Sequence, residues 1–141
     1  AFTSSAGRIW NSLCAADSTG FTVPMPTLGD TGVSFEKVAR EWRCKYALGP
    51  SGGPTDSQAL KDAQALLAEY LPALKALPNA EVTRVVCGGC GDFKVIVNQP
   101  ASDHGEWSAA KFAPEEEFVA KLSAIEGIAR VETQEYTMEM L

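Results

Sequence analysis

Val82-Thr83-Arg84-Val85-Val86-Cys87-Gly88-Gly89-Cys90-Gly91-Asp92-Phe93-Lys94-Val95-Ile96-Val97 is the stretch on which the fold turns. Two short runs rich in β-branched and aromatic residues, Val82 to Cys87 and Phe93 to Val97, flank a glycine-rich break, which is the signature of a β-hairpin. Upstream, Val38, Trp42, Cys44, Tyr46 and Leu48 occupy even positions while Lys37, Glu41, Arg43 and Lys45 occupy odd ones. That period of two predicts a half-buried strand beginning near Phe35, closed by Gly49-Pro50-Ser51-Gly52-Gly53-Pro54. Thr55-Asp56-Ser57-Gln58 then reads as a capping box with Thr55 as the cap. Leu60, Ala63, Leu67, Tyr70, Leu74 and Leu77 follow at helical spacing. Pro72 removes one amide and predicts a kink or restart near Tyr70, with the helix ending at Pro78-Asn79.

Downstream of the hairpin, Ser102-Asp103-His104-Gly105-Glu106-Trp107 reads as a polar loop. Pro114 fits a first helical position, with Glu115, Glu116 and Glu117 favouring the positive end of the helix dipole. Phe118, Leu122 and Ile125 form the apolar face, and Gly127 a left-handed cap. Ile128 to Met140 alternates as a last strand. The order is β-α-β-β-α-β: a ferredoxin-like α+β domain over residues 35–141, with a four-stranded antiparallel sheet and two helices on one face.

Residues 1–34 carry only Arg8, Asp17 and Asp30 as charges, and the Pro24-Met25-Pro26 run denies helix and ladder. This predicts an extended N-terminal arm. Ile9, Trp10, Leu13, Phe21, Met25 and Leu28 make it too apolar for a solvated linker, so it is expected to lie along its own domain or dock on a partner. Trp107, outside the expected regular elements, joins these as a partner-binding candidate.

Composition narrows the chemistry. The chain of 141 residues has 12 Lys and Arg against 18 Asp and Glu, a net charge of −6, with its basic residues scattered. Nucleic acid is therefore not an expected partner. No apolar run approaches the roughly 20 residues of a membrane-spanning helix, so at most a peripheral membrane association is expected. The single histidine, His104, excludes mechanisms that need two imidazoles. It is a candidate ligand to a pigment or metal, or a base beside Asp103 or Glu106, set against the commoner fate of a solvated loop histidine.

Four cysteines, Cys14, Cys44, Cys87 and Cys90, are too few for a secreted disulfide scaffold, and a reducing compartment is expected. Cys87-Gly88-Gly89-Cys90 leaves three uses open: a redox pair, half of a metal site, or a hairpin turn whose small thiols pack near its base. No cofactor is required by the sequence. No Ser-His-Asp order, phosphate-binding glycine loop or recognisable carboxylate pair is present, and no catalytic constellation is expected. Trp42, Tyr46 and Phe93 read as core.

Gly91-Asp92-Phe93-Lys94-Val95, followed by a helix and Ile125-Glu126-Gly127-Ile128-Ala129-Arg130-Val131-Glu132-Thr133, resembles the effector-binding half of Lrp/AsnC-type proteins over about residues 80–135. The resemblance implies a ferredoxin-like fold able to form a homodimer through its open sheet face. It does not imply a transcription factor, because the helix-turn-helix is absent. Cys87 to Val95, Phe112-Ala113-Pro114-Glu115, Val131-Glu132-Thr133-Gln134 and the Ala1-Phe2 start are also similar to small nucleus-encoded soluble proteins of red-lineage algal plastids. That likeness implies a chloroplast protein, stromal or lumenal, attached to a thylakoid photosystem or light-harvesting antenna complex. The same start also fits simple proteolysis, in which case the chain is an ordinary soluble intracellular protein.

Together these lead to the expectation of a non-catalytic binding or linker subunit that docks through its apolar arm. The alternatives are a thiol-redox or metal-binding protein acting through Cys87 and Cys90, and a ligand-sensing dimeric α/β domain.

Overall fold

The alternation over Lys37–Tyr46 forms strand β1, whose even-numbered side chains point into the core and whose odd-numbered ones point to the opposite face. The computed structural model describes residues 25–141. After β1 come helix α1 (Gln58–Lys75), strands β2 (Glu81–Cys87) and β3 (Asp92–Gln99), helices α2 (Ala101–Ala109) and α3 (Glu115–Ser123), and strand β4 (Ile128–Met138). The strands form one antiparallel sheet in the order β2-β3-β1-β4. The domain is α+β and ferredoxin-like, as the hairpin and its flanks predict.

Three helices, not two, cover one face among the described residues. The segment expected to be a polar loop is helix α2, and it buries His104 and Trp107. Helix α1 also differs from expectation at both ends. Its cap is Ser57, whose Oγ accepts the Leu60 N–H at 3.1 Å and donates to the Ala47 carbonyl at 2.6 Å. The helix runs through Pro72 without a restart, because a proline this close to the C-terminus forfeits a single backbone bond while Leu74 beyond it stays buried in the core.

Trp42 stands at the centre of β1, opposite Val95 of β3 and Thr133 of β4. Its ring stacks on Phe118 of α3 at 4.8 Å and lies tilted 6.3 Å from Trp107 of α2. Tyr70 of α1 meets Phe118 edge-on at 5.6 Å, so one aromatic group ties all three helices to the sheet. Trp42, Tyr46 and Phe93 are core residues, as expected. The β4 turn needs Gly127: its φ is +89°, and a Cβ there would sit 2.9 Å from the Ala59 Cβ.

The part of the arm that is described folds back on its own domain. Phe35 N–H donates to the Pro26 carbonyl at 3.0 Å, Leu28 N–H to Val33 at 2.9 Å, and Thr27 bridges to Ser34. Leu28 packs against Phe35, Val38 and Ala101, whereas Met25 is exposed. Ile9, Trp10, Leu13 and Phe21 lie outside the described residues. Among those residues, no helix is long and apolar enough to cross a membrane.

On the sheet face away from the helices, Tyr136 donates its hydroxyl to Glu41 at 2.9 Å, and Arg43 lies 3.6 Å from the other Glu41 oxygen. Burial first, then the hydrogen bond and charge of Glu41, push the Tyr136 hydroxyl up to about 12. An unfolded tyrosine ionises near pH 10, so between about 10 and 12 the folded state holds a proton that the unfolded state has lost. The stabilisation is complete below pH 10 and disappears as pH rises towards 12. Burial, and secondarily Asp92, also raise Tyr46, so the comparison must be with a variant. Tyr136→Phe is expected to remove one late step from the tyrosinate absorbance titration and to flatten the alkaline fall in stability.

Candidate functional site

Beneath the helices, beside the aromatic cluster, lies a histidine–carboxylate pair. His104 of α2 is fully buried, and its Nε2 is 2.8 Å from Glu135 Oε2 on β4. Glu135 is placed there by register: it sits opposite Arg40 of β1, on the helix-covered face. An ionised Glu135 can only accept, so it fixes the tautomer with hydrogen on Nε2 and leaves Nδ1 as a bare acceptor. That Nδ1 is buried and has no hydrogen-bond partner. Around it stand Phe112, with its ring 5.4 Å from the imidazole, and Trp107, edge-on at 6.4 Å.

A cation completes the group. Arg40 donates through Nε and a terminal nitrogen to the two oxygens of Glu115 at 2.7 and 3.0 Å, and Trp42 Nε1 donates to the same carboxylate at 2.7 Å. Glu115 is the first residue of α3, where the helix dipole also favours its charge. The Arg40 guanidinium lies 4.1 Å over the ring of Phe112. Phe112 is thus held by Arg40, His104 and Trp107, the last at 5.1 Å edge-on.

The backbone that delivers Phe112 is strained. Lys111 and Phe112 have φ values of +59° and +55°, left-handed conformations that are costly for side chains of this size and collect at functional sites. The Trp107 indole N–H donates to the Ala113 carbonyl at 2.9 Å and pins this connection from below. On its outer side lies an open groove of about 530 Å³, lined by Lys111, Pro114, Glu116 and Glu117 among others. Lys111 and Ala113, the neighbours of Phe112 in the chain, line that groove.

Among the expected site residues, the structure joins Cys87 to Cys90 in a disulfide, so both sulfurs are engaged with each other at the hairpin tip. No cluster of three or more metal-ligating side chains occurs among the described residues. Cys44 is a buried free thiol that burial, and then Asp92, push up to about 11. His104 is neither a loop residue nor solvated, because α2 carries it into the core. Trp107 is not available to a partner, since it is buried between Trp42, His104 and Phe112. Glu135, Arg40, Glu115 and Phe112 were not expected at the site. The alternating pattern of the last strand, which places Glu135 on the same face as Val131, was the one available signal.

No protein-family model matches the chain, and no curated protein matches it. Solved structures that resemble it include SnoaB, a cofactor-independent oxygenase from Streptomyces nogalater, at 14% identity with a TM-score of 0.47, covering 75% of this chain and 96% of that one. A single-site variant of SnoaB gives 14% identity and 0.48 over the same shares. A monooxygenase from the gene ActVA-Orf6 of Streptomyces coelicolor, in complex with Nanaomycin D, gives 15% and 0.46 over 76% of this chain and 90% of that one. At these identities the likeness is one of fold. These solved structures are oxygenases, in contrast to the expectation of a non-catalytic photosystem or antenna linker that is no enzyme. The helix layer itself holds the histidine–carboxylate pair that sequence reading did not find.

Proposed function

We propose that the chain is an enzyme in which His104 acts as general base on a planar, weakly acidic aromatic substrate such as a phenol or hydroquinone. The observation that carries this reading is the unpartnered Nδ1 of a fully buried histidine whose other nitrogen is held by a carboxylate. Burying a polar atom without a partner costs free energy, and among the described residues Nδ1 is the one nitrogen base in that position, the others being oxygens of Glu41, Tyr70, Asn98 and Gln99.

The substrate class follows from what holds Phe112. A planar ring taking that position would inherit the cation–π contact of Arg40 and the edge of Trp107. Its hydroxyl proton passes to Nδ1, leaving a phenolate, and the imidazolium formed is stabilised by Glu135. Arg40 and Glu115 orient the ring and take no proton. Phe112 acts as a cover, and the groove beyond it is the approach path.

A panel of phenols and hydroquinones tests this, with binding followed by tryptophan fluorescence and turnover by substrate absorbance beside an oxygen electrode. Wild-type protein is expected to bind members of the panel. Phe112→Ala is expected to bind them roughly 3- to 10-fold more tightly, because displacing a ring contact worth about 0.5–1.5 kcal/mol is no longer required. If neither protein binds or converts any member, the reading is wrong.

A further inference from the structure

The β2–β3 hairpin tip lies apart from this site and has its own chemistry. The Cys87–Cys90 bridge spans only three residues along the chain. A loop that short restricts the unfolded chain less than a long one does, so stabilisation is a weak reason for the bridge. The two sulfurs are also unlike. Cys90 is exposed and Cys87 half-buried. The Cys90 N–H donates to Cys87 Sγ at 3.2 Å, and the Cys87 end is held by the Tyr46 hydroxyl, which donates to the Cys87 carbonyl at 2.8 Å. Cys90 Sγ instead faces Asp92 Oδ2 at 3.3 Å. Asp92 is paired with Lys45, whose hydrogen bond holds its carboxyl below the usual range, so it is ionised at neutral pH.

We infer that this bridge is a thiol–disulfide exchange site for an external dithiol protein, entered at Cys90 with Cys87 as the leaving thiolate. The attacking thiolate reaches the exposed Cys90 sulfur, the Cys87–Cys90 bond breaks, and the electron pair leaves on Cys87, where the Cys90 N–H is already in place to receive it. Attack on Cys87 would leave negative charge on Cys90 against the Asp92 carboxylate. In the second step the partner's other thiolate attacks its own sulfur in the mixed disulfide. Cys90 leaves with the electron pair, is protonated by water as it departs, and as a thiol hydrogen-bonds the Asp92 carboxylate, while the partner becomes a disulfide. Two electrons pass from the dithiol to the hairpin, and the reverse sequence reoxidises it. Cys44 does not compete, being buried with its thiol pushed up to about 11.

The test uses the oxidised full chain and a thioredoxin-type dithiol protein, both intact and with its second cysteine replaced by serine to trap the mixed disulfide. Digestion and mass spectrometry of the trapped adduct are expected to place the partner on Cys90, in at least tenfold excess over Cys87. An adduct chiefly on Cys87 overturns the assignment of roles. Failure of the intact dithiol protein to reduce the bridge overturns the exchange site itself.

Discussion

His104→Gln is expected to lower turnover of the bound phenol by about 10²–10⁴-fold, the range general-base catalysis supplies, while KM changes little. Glutamine is the informative replacement because its amide N–H can still donate to Glu135, yet it offers no atom able to take a proton near neutral pH. His104→Ala would confuse two effects. Truncating a fully buried side chain leaves a cavity that costs roughly 2–5 kcal/mol, so lost activity there would report lost structure. Glu135→Gln completes the comparison: it can still hydrogen-bond the ring but cannot stabilise an imidazolium, so its kcat should also fall. The measurements are kcat and KM for the panel member that binds best, with urea unfolding of each variant alongside. A His104→Gln protein that folds normally and keeps more than a tenth of wild-type kcat would remove the histidine from the chemistry.

The parts of the fold legible beforehand are those where the side-chain pattern follows backbone period. In β1 the alternation of Val38, Trp42 and Cys44 with charged neighbours, and in the hairpin the glycines between two β-branched runs, come from the pleat itself and survive burial. Helix α2 was illegible for the opposite reason. Ser102, Asp103 and Gly105 favour turns, and the residues it buries are Ala101, His104, Gly105 and Trp107, a stripe with little aliphatic character. Its helical state is decided by tertiary packing, in which a small face lets the backbone approach the sheet while Trp107 fills the layer beneath. The start of α1 departs from the capping pattern because two caps compete within three residues. Ser57 wins since its hydroxyl also reaches the Ala47 carbonyl after β1, a contact that a local capping pattern cannot reveal. The candidate site was the least legible part. His104 and Glu135 are 31 residues apart, on a helix whose sequence has the composition of a loop and a strand whose sequence shows alternation alone. No spacing rule links them; register across β1 does.

The same register makes Trp42 the residue whose loss should cost the most stability. It is only 1% exposed, stacks on Phe118, touches Trp107 and donates to Glu115, so one side chain joins the central strand to α2 and α3. Trp42→Ala is expected to destabilise the protein by about 3–5 kcal/mol, the sum of lost apolar burial and the cavity left between sheet and helices. Against a typical total stability of about 5–15 kcal/mol this leaves a marginal fold. Trp42→Phe separates packing from the hydrogen bond. It keeps a ring on Phe118 and leaves Glu115 bound by Arg40 alone, so the loss should be clearly smaller, on the order of 1–2 kcal/mol. Urea midpoints for wild type and both variants, with near-ultraviolet circular dichroism to follow the aromatic group, give the answer. If Trp42→Ala costs less than about 1.5 kcal/mol, the aromatic cluster is not what holds the helices to the sheet, and the buried position of His104 must be maintained by other contacts.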